Sequence, residues 1–160
     1  IIAVGTRPIC RQVAKDYGAD EFISYKDGPI SDQILKMTNG KGVDRVCIAG
    51  GTVDTFAEAV KCLRAGGRIG NVNYLGKGDF IKIPRVEWGA GMANKVISGG
   101  LMPGGRLRME KLASLVTAGR IELHKEVTHV FHGKEHVEEA LLMMKNKPAD
   151  LIKPVVVWDD

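Results

Sequence analysis

Residues 43–74 read VDRVCIAGGTVDTFAEAVKCLRAGGRIGNVNY, and the fold follows from them. Val43 to Ile48 is a short apolar run closed by Ala49-Gly50-Gly51, which reads as a strand leaving a sheet. Thr52 to Leu63 then carries Val53, Phe56, Val60 and Leu63 on one helical face. Arg64-Ala65-Gly66-Gly67 reads as the helix stop, and Arg68 to Tyr74 as the next strand. A strand, a crossover helix and a second strand in so short a span make a parallel pair.

The same rhythm extends upstream. Ile1 to Val4 is a β-branched run closed by Gly5, Arg11 to Tyr17 has a helical pattern stopped by Gly18, and Glu21 to Tyr25 reads as a strand. "KDGPIS" is a turn in which Ser31 is the candidate N-cap of a helix over Asp32 to Met37, and "TNGKG" ends that helix. Short strands alternating with helices predict an α/β fold built on a doubly wound parallel sheet. Downstream, the stretch from Gly76 is rich in glycine, with a short strand at Val96 to Ser98. Beyond it come a helix over Arg106 to Ala118, a strand over Val127 to Phe131, a helix over Lys134 to Met144 and a strand over Ile152 to Trp158. The shift in composition near Leu101 to Gly105 marks the candidate domain border. No repeat or low-complexity tract interrupts the chain.

Composition narrows the function. With 44% hydrophobic and 26% charged residues, 160 residues suffice for a packed core. The net charge of +4 is spread without long like-charged runs, which argues against a nucleic-acid surface but suits a phosphorylated small ligand. Cys10, Cys47 and Cys62 are odd in number and lack C-x-x-C spacing, so they read as buried thiols of a reducing compartment. No stretch has the length and apolarity of a membrane span. The chain begins in mid-strand without Met and is expected to be truncated.

Gly5-Thr6-Arg7 points to the ligand. In a dinucleotide-binding half-fold, an Asp or Glu just past the second strand accepts from the ribose 2′-hydroxyl. A small polar residue followed by Arg leaves room and charge for a 2′-phosphate. Ala49–Gly51 and Val72–Tyr74 fall at the carboxyl ends of two strands, where open parallel sheets place ligands. No G-x-G-x-x-G opens a helix here, so the cradle for a pyrophosphate is missing. His124, His129, His132 and His136 cluster in sequence, but Gly133 interrupts the helix that would align the last two as metal ligands. They read as a surface cluster.

The segments "GKGVDRVCIAGG", "LRAGGRIGNVNY", "IPRVEWGAGMANK", "GGLMPGGRLRMEKL" and "LMMKNKPADLIKPVVV" together resemble the NADP-dependent secondary alcohol dehydrogenases, zinc enzymes of the medium-chain dehydrogenase/reductase superfamily. The resemblance runs over essentially all 160 residues and implies the C-terminal part of such an enzyme. It implies a Rossmann-like sheet that lacks its first strand, with residues 1–101 a partial dinucleotide-binding domain and 102–160 the C-terminal segment of the catalytic domain. The absent strand would lie between Ile1–Val4 and Val43–Ile48, and these two edges are expected to close on each other or to pair with another chain.

Carried over residue by residue, the resemblance assigns Gly5, Thr6, Arg7 and Tyr25 to the 2′-phosphate pocket of NADP. Val72, Asn73 and Tyr74 fall on the nicotinamide side, Tyr74 and Leu101 beside the substrate carbon, and Lys147 reaches the cofactor from the C-terminal segment. No catalytic residue and no metal ligand is assigned within the chain, because the family's zinc ligands belong to an N-terminal part. The implied reaction is hydride transfer between NADP(H) and a small secondary alcohol or ketone, in a cytoplasmic homotetramer, with the isolated chain inactive. The competing reading is a non-catalytic nucleotide-binding or oligomerisation module.

Overall fold

A computed structural model describes residues 1–158, which form two compact units. One unit comprises Tyr25–Pro103; the other joins Ile1–Ser24 to the segment from Gly104 onward. Every paired strand is parallel to its neighbour.

The Tyr25–Pro103 unit contains α1 (Ile30–Met37), β1 (Val43–Ile48), α2 (Val53–Cys62), β2 (Leu63–Asn71) and β3 (Val96–Gly99), with sheet order β1-β2-β3. Val46, Ile69 and Ile97 sit side by side across the three strands. Helix α2 turns Phe56, Ala59 and Val60 inward at helical spacing, onto Ile48, Leu63 and Ile69. These six residues are buried, and Val46, Leu75, Trp88 and Ile97 pack against them. Thr52 caps the helix: its hydroxyl accepts from the Asp54 amide at 3.4 Å, while the Thr55 hydroxyl accepts from the Thr52 amide at 3.1 Å. The glycine-rich stretch is tied down by Lys95, whose Nζ donates to the carbonyls of Val60 at 2.9 Å and Glu87 at 2.6 Å. Burial lowers the Lys95 pKa.

Helices α1 and α2 meet through a polar contact that departs from the sequence expectation. Ser31 is not an N-cap; the helix starts at Ile30 with Pro29 in the cap position, and Ser31 is 1% exposed. Its amide and its hydroxyl both donate to Glu58 Oε2 at 2.9 Å, and Lys61 donates to Oε1 at 3.0 Å. Burial pushes the Glu58 carboxyl up, but donation from Ser31 and Lys61 outweighs it and the pKa ends below its ordinary value.

The other unit contains β4 (Ile2–Gly5), α3 (Pro8–Asp16) and β5 (Glu21–Ser24), then α4 (Arg106–Thr117), β6 (Val127–His132), α5 (Val137–Asn146) and β7 (Lys153–Val157). Its strands pair as β4-β5 and β6-β7. The Tyr17 hydroxyl donates to the Glu122 carbonyl at 2.7 Å and the Lys125 ammonium lies 5.8 Å from the ring centroid, so the N-terminal segment is held to the C-terminal one. Ala140 and Leu151 are buried, whereas α4 has no buried residue.

The edges expected to close on each other belong to β4 and β1. Among the described residues, β4 is bonded only to β5 and β1 only to β2. Several boundaries move. Helix α3 begins at Pro8, whose fixed φ suits a first helical position. Strand β2 starts at Leu63 and takes up Arg64–Gly67 as an irregularity, since Val43 faces Leu63 but Arg45 faces Arg68. It ends at Asn71, so Val72–Tyr74 lies beyond the strand. A 3₁₀ turn at Lys134–His136 precedes α5, and His132 ends β6, so the last two histidines share no helix. The thiols also differ from expectation: Cys62 is buried and pushed up to about 11 by burial, Cys10 is half-buried, and Cys47 is exposed on β1, at the unpaired side of its sheet.

Replacing Ser31 with Ala removes a donor to a largely buried carboxylate and is expected to cost about 1–3 kcal/mol in denaturant unfolding at neutral pH. Because the folded Glu58 carboxyl lies below 4.5, its contribution is complete above that value and lost as the pH falls through the folded pKa. The gap between the native protein and Ser31→Ala should therefore narrow only below about pH 4.5. A gap that is constant from neutral to acid would rule out the carboxylate as the acceptor that matters.

Candidate functional site

Gly5 ends β4, and Thr6 and Arg7 make the turn into α3. The strand end is tight: a Cβ on Gly5 would lie 2.8 Å from Phe22 Cζ. Arg7 is extended, with φ −85° and ψ 139°, at the cap position of α3, and its carbonyl accepts from the Arg11 amide at 3.2 Å. The Arg7 side chain does not cap this helix and no acid occupies its first turn, so the leading amides face no carboxylate of their own first turn. Thr6 and Arg7 are both half-buried.

The Arg7 guanidinium does not point freely into solvent. Its Nη1 donates to the Leu151 carbonyl and, at 3.4 Å, to the Pro148 carbonyl. Those carbonyls belong to the turn that follows Lys147, the second predicted cation of this unit. Lys147 adopts the left-handed conformation, φ 49° and ψ 62°, as the C-cap of α5, with its amide donating to the Met143 carbonyl at 2.9 Å. Its side chain is exposed. Thus the fold brings Arg7 against the Lys147 turn, an arrangement that sequence reading missed. Backbone carbonyls leave no signature in residue type.

In the Tyr25–Pro103 unit, the carboxyl ends of the three strands are stitched by asparagines. Asn71 ends β2, donating through Nδ2 to the Asn73 carbonyl at 3.0 Å and accepting on Oδ1 from the Asn73 amide at 3.4 Å. Asn73 Nδ2 donates to the Gly51 carbonyl at 3.1 Å beyond β1. The Val72 amide donates to the Ile48 carbonyl at 3.0 Å, and the Gly100 amide to the Asn71 carbonyl at 3.3 Å. Asn73 therefore serves the loop, and Asn71 is a further organiser that sequence reading passed over. Its signal was an Asn two residues from Asn73, at the end of an apolar strand. The remaining predicted residues lie open: Val72 is 69% exposed, Tyr74 87% and Leu101 97%. Tyr25, which follows β5, is 56% exposed.

The other polar clusters do not extend this site. His129 sits 3.8 Å from Asp150, and His136 Nδ1 lies 3.0 Å from Glu139 while its ring stacks on Phe131. Among the described residues, no group of three or more His, Cys, Asp or Glu is placed to hold a metal ion. A groove of about 620 Å³ runs along α5, but Glu135, Glu138 and Glu139 line it and none of the predicted residues does. Three carboxylates repel a phosphate. No helix among the described residues is long and apolar enough to cross a membrane.

Residues 1–118 match the family model described as zinc-binding dehydrogenase. The chain belongs to that family. Among curated relatives, an NADP-dependent isopropanol dehydrogenase of Entamoeba histolytica is 63% identical over 156 residues, covering 98% of this chain and 43% of that protein. An enzyme of the same name from Clostridium beijerinckii is 59% identical, over 98% of this chain and 45% of its own length. The chain thus spans less than half of these members of the family. The fold matches that of solved alcohol dehydrogenases: the Thermus sp. ATN1 enzyme has a TM-score of 0.82 at 21% identity, covering 99% of this chain and 45% of that one. The doubly wound α/β assignment is therefore correct, with one three-stranded and two two-stranded parallel sheets among the described residues in place of a single continuous sheet.

The family's strand-end geometry can be probed at Gly51, which has φ +97° and whose added Cβ would lie 2.1 Å from Thr55 Oγ1. Gly51→Ala must strain the backbone and displace the hydroxyl of the α2 capping box, and is expected to destabilise by about 1–3 kcal/mol in urea unfolding. An unchanged midpoint would show that the loop relaxes without the cap.

Proposed function

We propose that this chain is the C-terminal part of an oxidoreductase that transfers a hydride between NADP(H) and a small secondary alcohol or ketone. The observation that carries the reading is the Gly5-Thr6-Arg7 turn, where a half-buried guanidinium stands beside an uncapped helix start at the carboxyl end of a parallel strand. That is a seat for a phosphate and not for a ribose hydroxyl alone. The names of the Entamoeba and Clostridium relatives support both the cofactor and the substrate class.

In this reading residues 1–101 form part of the dinucleotide-binding domain and 102–160 the end of the catalytic domain. The nicotinamide supplies or accepts the hydride when bound. Arg7 and Thr6, with Tyr25, hold the 2′-phosphate; Asn71 and Asn73 fix the loop on which Val72 and Tyr74 form one side of the nicotinamide seat; Tyr74 and Leu101 contribute apolar surface to the substrate side. Ligands for the zinc that the family's name implies would come from another part of the parent protein. The isolated chain would then be inactive. Unpaired thiols fit a cytoplasmic setting.

In the parent enzyme, Arg7→Gln should raise the KM for NADP by about tenfold to a hundredfold, the range for a lost hydrogen bond to a charged group, and leave the KM for NAD within about twofold. Equal losses for the two cofactors would exclude the 2′-phosphate assignment.

We further propose a homotetrameric parent. Leu107, Met109, Leu112, Leu115 and Val116 of α4 are all exposed, by 36% to 66%, which gives one helix more open apolar surface than scattered single residues would. The 160-residue chain by itself should elute as a dimer or larger species in light scattering. A stable monomer would argue that α4 needs no cover.

A further inference from the structure

We infer that Arg7 is a positioning residue for Lys147, so that the two cations read the cofactor as one coupled unit; this rests on the NADP reading above. The Lys147 turn is held from two sides. On one, the Ile152 amide donates to Thr128 Oγ1 at 3.0 Å, anchoring the turn to β6. On the other, Arg7 Nη1 engages the carbonyls of Pro148 and Leu151, and the Leu151 amide closes the turn onto the Pro148 carbonyl at 3.2 Å. Leu151 is only 2% exposed, which locks the far end of the turn in the core of its unit.

Lys147 stands at the near end, one residue before the held Pro148, in a left-handed conformation that a non-glycine residue keeps only when its surroundings impose it. The guanidinium is a planar fork, so the donors not used on the two carbonyls remain available to an anion on its other edge. A phosphate there would fix the guanidinium plane and with it the turn. The turn in turn sets where the Lys147 ammonium starts from. Such coupling is reciprocal: if the clasp improves the contribution of Lys147 to NADP binding, NADP must tighten the clasp.

Hydrogen exchange at the Leu151 and Ile152 amides, followed in the full-length parent enzyme, reads the clasp directly. In the cofactor-free protein, Arg7→Gln should speed this exchange about tenfold and Arg7→Lys, which keeps the charge without the fork, by less. NADP should slow the exchange in the native enzyme more than NAD does, and Arg7→Gln should abolish that difference. In binding titrations, Lys147→Met should weaken NADP about tenfold in the native background and less than about twofold when Arg7→Gln is already present.

Exchange unmoved by Arg7→Gln would overturn the clasp, and equal losses from Lys147→Met in both backgrounds would overturn the coupling. If exchange is unmoved but NADP preference still falls with Arg7, the cofactor reading stands and only the coupling fails. If exchange rises while NADP and NAD bind alike in every variant, the cofactor reading fails and the coupling with it, leaving a clasp of structural use alone.

Discussion

The burial of one face of α2 between β1 and β2 is the constraint on which the Tyr25–Pro103 unit depends. Phe56, Ala59 and Val60 point at Ile48, Leu63 and Ile69, and Val60 and Ile69 are essentially sealed from solvent. Parallel strands cannot be joined by a tight turn, so the helix is both connector and cover. Once it is seated, both strands must end on the same side, and the loops after Ile48 and Asn71 emerge together. The proposed nicotinamide wall is placed by that packing, and the hydrogen bonds of Asn71 and Asn73 then hold its loops together.

Loops placed in this way bring backbone carbonyls that no sheet or helix satisfies, and a buried or half-buried carbonyl needs a donor. The structure answers with long polar side chains. Asn73 reaches the carbonyl of Gly51, Lys95 those of Val60 and Glu87, and Arg7 those of Pro148 and Leu151. In each case one side chain joins elements distant in sequence. Arg7 differs in keeping a whole edge of its planar fork, Nε and Nη2, off those carbonyls, which lets a residue of the fold serve a ligand as well.

How much of this was legible in the sequence depended on whether the signal was local. Strand β1 coincides with the expected Val43–Ile48, and α2 agrees to within a residue at each end, because apolar periodicity and Thr52 are local facts. Ser31 misled because a cap and a buried hydroxyl look alike in sequence; only the position of Glu58 on another helix separates them. Arg64–Gly67 looked like a stop since two glycines favour a turn, yet the strand absorbs the irregularity without leaving the sheet. Cys47 looked buried because it stands in an apolar run, but among the described residues β1 has a bonded neighbour on one side only. Gly5, Thr6 and Arg7 were singled out by residue chemistry alone, and the structure places them between β4 and the start of α3. The Asn71 stitch and the Arg7 clasp needed three dimensions.

The contact between Gly5 and Phe22 limits how the proposed cofactor preference can change over evolutionary time. The Phe22 ring is confined, with its edge against Gly5 and the Arg11 guanidinium 4.9 Å from its centroid. An acid that would grip a ribose hydroxyl therefore cannot arise at position 5 by a single codon change without the Phe22 ring shifting on β5. The accessible route runs through positions 6 and 7, and a change at 7 also releases the Pro148–Leu151 carbonyls. A lineage shifting toward NAD would have to find new donors for that turn at the same step, which makes the preference hard to reverse one residue at a time.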